Sequence, residues 1–298
     1  MAIKMNGAYF NGLDDDAGLQ RALDNIPGSV TTDYILFNLN VASGESADIN
    51  YGWTGPPLVK DGTVQTAVGK RLSPIVSKGV SQGQCQRIWL TIGSSVDPKC
   101  PEKTSTFTNI QTIFKTGGAL QATLIANFAA LVGALAKDAG GRTIGFDMDY
   151  EESVDDFPAL IAKLTLLLYS NVPKCPITFC PFTSPSDWIR ALQLVNQSGV
   201  QPVVGFNLQV YSGGCRNDPR QWVSAVKAAQ GTGILNPDNF IWPIVSNSPD
   251  AKPVYTPSQV TQKLQGWNSQ GASLWDTASL AKPPNTLTDY SKAIAAGI

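Results

Sequence analysis

Histidine is absent from the 298 residues. Without it no Ser-His-Asp or Cys-His nucleophile system can be assembled, and the commonest zinc ligand is missing. Proton transfer in any enzymatic role therefore falls to Asp, Glu, Tyr, Lys or Cys. Cysteine is sparse and odd in number: Cys85, Cys100, Cys175, Cys180 and Cys215 include no Cys-x-x-Cys pair that would suggest zinc or a redox site. Buried thiols are the simpler reading, with one or two disulfides as the alternative. No metal and no cofactor is expected. Charge of either sign is not in excess: the net charge is −1, with acids and bases interspersed. Neither a nucleic-acid partner nor an anionic membrane surface is indicated. No uninterrupted run of eighteen apolar residues exists, so no bilayer span is expected. The start, Met-Ala-Ile-Lys-Met-Asn-Gly, shows no apolar leader with a cleavage site, which leaves a cytoplasmic protein or one whose leader preceded Met1. A Gly-x-Gly-x-x-Gly turn is missing after the early strands, which removes support for a Rossmann nucleotide site. Asn196-Gln197-Ser198 is a lone sequon of low specificity.

What is present is one large core and a regular alternation. Hydrophobic residues make up 43% of the chain, and a single α/β barrel routinely runs to about 250 residues, so residues 1–298 are expected to form one domain and a monomer. Strand-like runs fall at Met5–Phe10, Tyr34–Asn40, Arg87–Ile92, Thr143–Met148, Ile177–Phe182, Val203–Val210, Phe240–Val245 and Ala272–Trp275. Helical patterns fall between them, at Asp16–Ile26, Thr63–Val80, Leu120–Ala136, Asp155–Tyr169, Asp187–Asn196, Asp218–Ala229, Pro257–Gln270 and Thr286–Ala296. Asp155, Ser186, Asp218 and Thr256 are the expected N-caps, and Pro158, Pro219 and Pro257 sit near helix starts, where a missing N–H costs little. Eight strands, each followed by a helix, specify a (β/α)8 TIM barrel, with a doubly wound open sheet as runner-up. The longest excursion, Val41–Gly62 after the second strand, carries Tyr51 and Trp53. In a barrel it projects from the C-terminal face, where active sites are built.

The fourth strand carries the chemistry. Alternation puts Asp147, Asp149 and Glu151 on one face and Phe146, Met148 and Tyr150 on the other. The apolar set suits the layer beneath the helices. The acidic set becomes a column inside the barrel, with about 6.6 Å between successive residues. Three inward carboxylates repel one another and are costly to desolvate, so folding alone gives no reason for them. They make sense as a device that raises the pKa of a proton donor at the strand's end. The competing reading is a strand that frays into a solvated acidic loop, since Glu152, Asp155 and Asp156 follow. Periodicity weighs the two evenly. A divalent-metal site ranks lower, because strand spacing with apolar intervals is unlike a flexible loop of oxygen ligands.

Gly145-Phe146-Asp147-Met148-Asp149-Tyr150-Glu151 resembles the Asp-Gly-x-Asp-x-Asp-x-Glu signature of glycoside hydrolase family 18, the chitinases and endo-β-N-acetylglucosaminidases, with Ile144 in place of the first Asp. Leu90-Thr91-Ile92-Gly93-Ser94 is similar to that family's third strand. Asn207-Leu208-Gln209-Val210-Tyr211 is similar to its sixth, with Ser212 departing from the usual Asp or Asn. Gly271-Ala272-Ser273-Leu274-Trp275 resembles its eighth. The resemblance implies retaining, substrate-assisted hydrolysis of β-1,4 links next to N-acetylglucosamine. Glu151 would be the general acid, Asp149 would orient the substrate's acetamide, Asp147 would support Asp149 by sharing a proton, and Tyr211 would hydrogen-bond the acetamide oxygen. Trp275 would form the floor of the sugar site and Gln209 a polar wall. Tyr9 and Phe37, from early strands, and Trp53, from the long loop, are further candidates for contact with an N-acetylglucosamine-containing oligosaccharide, each with core or loop packing as the bland alternative. The competing activities are cleavage of N-glycan cores and, from another class, carbohydrate binding without catalysis.

Overall fold

A computed structural model of the chain describes residues 4–42, 46–52, 55–94, 105–172, 175–280 and 285–298. The first strand, β1 (Asn6–Phe10), pairs in parallel with β2 (Asp33–Val41) on one side. Parallel pairing continues from β2 to β6 (Arg87–Ile92), β7 (Thr143–Met148), β8 (Ile177–Phe179), β9 (Val203–Gln209), β10 (Ile241–Ser246) and β11 (Ala272–Trp275). β11 returns to β1, with Asn6 opposite Ala272 and Ala8 opposite Leu274, and the sheet closes. This is a (β/α)8 barrel, and its eight strands are the eight expected from the sequence.

Helices α1 (Asp16–Asn25), α2 (Ser73–Gln82), α3 (Thr106–Thr116), α4 (Gly118–Ala139), α5 (Phe157–Asn171), α6 (Pro185–Asn196), α7 (Pro219–Ala228), α8 (Pro257–Trp267) and α9 (Leu287–Gly297) form the outer layer. Most start where the sequence says. Asp218 accepts from the Arg220 amide, and Thr256 closes a capping box with Gln259. Two expected caps move: α5 begins after Asp156 rather than Asp155, and α6 begins after Ser184 with Pro185 in its first turn. The stretch expected as helix from Thr63 opens instead as strand β5 (Thr63–Val64), then a π-helical turn, Val68–Leu72, runs into α2. The long excursion is not structureless either. It holds β3 (Ile49–Tyr51) and β4 (Pro57–Lys60), which extend β2 through antiparallel pairs that finish at β5.

Helix α4 is long and apolar enough, by length and composition, to cross a membrane. Its Leu124, Phe128, Leu131 and Leu135 are buried in the barrel's outer core, and Phe128 meets Phe146 of β7 edge to face at 5.3 Å. It is a packing helix of the barrel. Cys85, Cys175, Cys180 and Cys215 are free thiols, Cys100 lying outside the described residues. Burial pushes the Cys85 and Cys175 thiols up to about 12.

The barrel interior is built in layers, as alternation demands. Trp89 and Trp242 fill the lower layer, made possible by strand glycines. A Cβ at Gly145 would meet Trp89 at 2.7 Å, and one at Gly205 would strike the Trp242 ring. At the N-terminal end, Asp33 is fully buried and holds the Arg87 guanidinium, the Trp89 indole N–H at 3.0 Å and the Asn6 backbone N–H at 3.3 Å. The upper layers hold the acids.

Candidate active site

Phe146, Met148 and Tyr150 join the core beneath the helices, and Asp147 and Asp149 face the barrel axis, fully or almost fully buried. Asp147 is the deepest. Its Oδ1 accepts from the Thr178 hydroxyl at 2.6 Å and the Asn207 amide at 2.9 Å, and its Oδ2 accepts from the Tyr9 hydroxyl at 2.9 Å and the Thr91 hydroxyl at 3.5 Å. Burial raises its pKa, and these four donors, from strands β8, β9, β1 and β6, oppose the rise. Four donors to two oxygens describe a carboxylate held rigidly as an acceptor.

Asp149 and Glu151 behave as a pair. The Gln209 amide donates to Asp149 at 3.1 Å and to Glu151 at 2.8 Å, bridging the two carboxyls. Burial raises both pKa values, and the Glu151 and Asp147 charges push Asp149 further up. Two neighbouring carboxyls in a buried site cannot both ionise cheaply, and burial favours the neutral form of each. Asp149 thus accepts from Gln209 above it, while the carboxyl of Asp147 below is engaged by donors from four strands.

Above the pair opens a cavity of about 660 Å³ lined by Asp149, Glu151, Gln209, Tyr211, Trp275 and Phe37, among others. Its volume suits a small oligosaccharide segment. Trp275 forms part of an aromatic floor. Its ring stacks on Tyr211 at 5.9 Å between centroids and 17° between planes, and meets Phe37 at 4.7 Å and Tyr9 at 5.5 Å edge to face. Tyr211 is 7% exposed and lines the cavity, and its hydroxyl has no hydrogen-bond partner among the described residues. A buried phenol left free toward a cavity is a donor waiting for a ligand.

Of the residues expected from the sequence, Glu151, Asp149, Gln209, Tyr211, Trp275 and Phe37 converge on the cavity. Tyr9, expected to contact the oligosaccharide, does not line the cavity: it is 1% exposed and donates to Asp147. Trp53 lies outside the described residues, and its neighbour Tyr51 is buried, donating to the Phe37 carbonyl at 2.6 Å. Glu152 belongs to another structure altogether, accepting from the Phe107 and Thr108 backbone N–H groups at 2.8 and 2.9 Å and so capping α3. Residues not foreseen are Asn207, Thr178 and Thr91 around Asp147, and Cys180, whose sulfur lies 3.6 Å from the Tyr9 hydroxyl and 3.8 Å from the Gln209 amide. Asn207 was within reach, since it alternates with Gln209 on β9. Among the described residues no group of His, Cys, Asp and Glu is arranged to hold a metal ion.

No protein-family model matches the chain, and no curated protein matches it significantly. Solved structures do. A GH18 chitinase from Pseudoalteromonas aurantia superposes with a TM-score of 0.64 at 16% identity, covering 99% of this chain and 100% of that one. The fold is that of the GH18 chitinases. A chitinase from Bacteroides thetaiotaomicron gives a TM-score of 0.61 at 14% identity, covering 99% of this chain and 97% of its own. A GH18 chitinase from the chitin utilization locus of Flavobacterium johnsoniae gives 0.59 at 10%, covering 98% and 94%. Within this fold Asp147 stands on the fourth barrel strand with Asp149 and Glu151 just beyond its end, Gln209 at the end of the sixth with Tyr211 just beyond it, and Trp275 on the eighth.

Proposed function

We propose that the protein is a chitinase-like glycoside hydrolase that cleaves β-1,4 links next to N-acetylglucosamine, retaining configuration, with Glu151 as general acid. The observation that carries this reading is the Asp149–Glu151 pair, bridged by Gln209 and opening on a cavity floored by Trp275. Glu151 gives its proton to the glycosidic oxygen as the C1–O bond breaks. The carbonyl oxygen of the substrate's own acetamide attacks C1, forming a cyclic oxazolinium ion. Asp149 accepts from the acetamide N–H and balances the developing positive charge, and the free Tyr211 hydroxyl donates to the acetamide carbonyl oxygen. Glu151, now a carboxylate, then takes a proton from water as that water attacks C1 and reopens the ring. No protein nucleophile is required, which accords with a chain that has no histidine.

The test is incubation with chitin oligomers and, separately, with a high-mannose glycoprotein. Release of chitobiose-sized products from the oligomers, with the anomeric configuration retained by NMR, is the expected result. Glu151→Gln should lower kcat by about 10²–10⁴-fold while oligomer binding persists in calorimetry. Cleavage of the glycoprotein alone would make the protein an endo-β-N-acetylglucosaminidase. Binding without release from either substrate would make it a carbohydrate-binding protein.

A further inference from the structure

A second groove lies on the outside of the barrel. Helices α8 and α9 pack together, as do α5 and α6, but α7 and α8 hardly meet. The gap between them is a groove of about 480 Å³ that shares no lining residue with the cavity. Two aromatic rings mark its ends. Tyr255 stands just before the first turn of α8 and Trp267 closes its last, so about 15 Å of helix lies between them. Both rings are partly exposed. The exposed Lys263 side chain lies over the Trp267 ring, its ammonium 5.9 Å from the centroid, so that face is not covered by the core. Between the rings the wall is polar. Gln259 spends its side-chain oxygen on the Thr256 backbone N–H at 2.8 Å, which leaves its amide N–H groups open, and the Gln262 amide is unengaged among the described residues. Arg220, in the first turn of α7, is already neutralised by Asp218 at 2.6 Å. Gly266 is the most telling. Glycine is a poor helix former, yet it stands inside α8, and a Cβ there would meet nothing within 4 Å. Packing does not ask for it; what a side chain would occupy is the groove.

Two partly exposed aromatic rings, with amide groups between them and little net charge, fit a neutral sugar strand. The rings take the apolar faces of the pyranoses, and the amides take hydroxyl and acetamide oxygens. The loop after β10 borders both sites, lining the cavity with Ser248, Asp250 and Ala251 and the groove with Tyr255. Resting on the reaction proposed above, we infer that the groove between α7 and α8 is an accessory binding site for the neutral polymer that the cavity cuts. A strand held there raises the local concentration of chain at the cavity. The gain belongs to substrates long enough to engage both sites, and oligomers that fill only the cavity receive none of it.

The test uses Trp267→Ala, which removes one platform, and Gly266→Leu, which fills the groove without removing a contact. Each should lower the ratio of activity on colloidal chitin to activity on chitotetraose by about three- to tenfold. Leucine favours the helix, so Gly266→Leu should melt no lower than the wild type, and it carries the test alone if Trp267→Ala fails to fold. Binding is read without turnover in a Glu151→Gln background. There each groove substitution should reduce retention on chitin beads by a similar factor, at low and high salt alike, because the ligand is neutral. An unchanged ratio with unchanged retention, or no retention of the Glu151→Gln parent, would overturn the inference. Retention lost in Lys263→Gln and at high salt, but kept in Trp267→Ala, would overturn it too and make the groove an anion site. Hydrolysis of chitotetraose reads the underlying reaction separately. If it is absent, retention on the beads still decides the groove.

Discussion

Glu151 and Asp149 lie where burial favours their neutral forms, and the Glu151 charge further raises the cost of ionising Asp149. A general acid works only while protonated, so activity should fall as pH rises through the raised values of the pair, on the alkaline limb of a kcat/KM profile. The same shifts act on stability. In the unfolded chain these carboxyls titrate near about 4. Because the folded values are higher, the folded state binds the proton more tightly. The stabilisation is complete below the unfolded values and is lost as pH rises through the folded ones. Asp149→Asn should therefore flatten the decline of Tm between mildly acidic and neutral pH and melt a few degrees above the wild type at neutrality, while losing activity. A mutant Tm that tracks the wild type across that range would show that the column carries no such strain. The acids themselves were legible in the sequence, because alternation is a property of one strand. Their partners Thr91, Thr178 and Tyr9 were not, since each stands on a different strand and only barrel register brings them to Asp147.

At the scale of elements, β1, β2 and β6 are pinned at their N-terminal ends by Asp33. Arg87 reaches it with two hydrogen bonds, and Trp89 and Asn6 add one each. Removing one member of a buried ion pair leaves an uncompensated charge, so Arg87→Met should destabilise by about 3–5 kcal/mol. Equilibrium urea unfolding measures it. The site lies at the opposite end of the barrel, so kcat below the unfolding transition should hold. The strands were readable because their apolar runs are short, regular and bounded by helical patterns. Helix α3 was not. Thr106-Phe107-Thr108-Asn109 offers β-branched and aromatic residues of low helix propensity, and its N-terminus is capped by Glu152, more than forty residues along the chain. Strands β3 and β4 escaped notice for a related reason: a hairpin of a few residues gains its stability from the edge of β2, which local sequence does not display.

For the whole molecule, closure depends on the pairing of β11 with β1, the last strand with the first. Helix α9 reinforces this join: the Ser291 carbonyl accepts from the Asn6 amide at 3.1 Å, and the Ser291 hydroxyl accepts from the Val30 backbone N–H at 3.0 Å. A ring whose two ends meet has no natural seam at which one half could unfold alone. Far-ultraviolet circular dichroism and tryptophan fluorescence should therefore report one coincident denaturation midpoint. Two separated midpoints would contradict a single cooperative domain. Deleting residues 285–298 should abolish that transition rather than shift it.

Neighbouring glutamates at the rim have separate duties. Glu151 turns inward to the cavity, and Glu152 turns outward to grip the first turn of α3. In a mutational screen both positions would read as loss of activity, and only temperature separates them. Glu152→Gln weakens the tether rather than the chemistry, so its activity should return on cooling, whereas Glu151→Gln should remain inactive at every temperature. A rim built this way couples the placement of Glu151 to the thermal firmness of a helix that does not line the cavity.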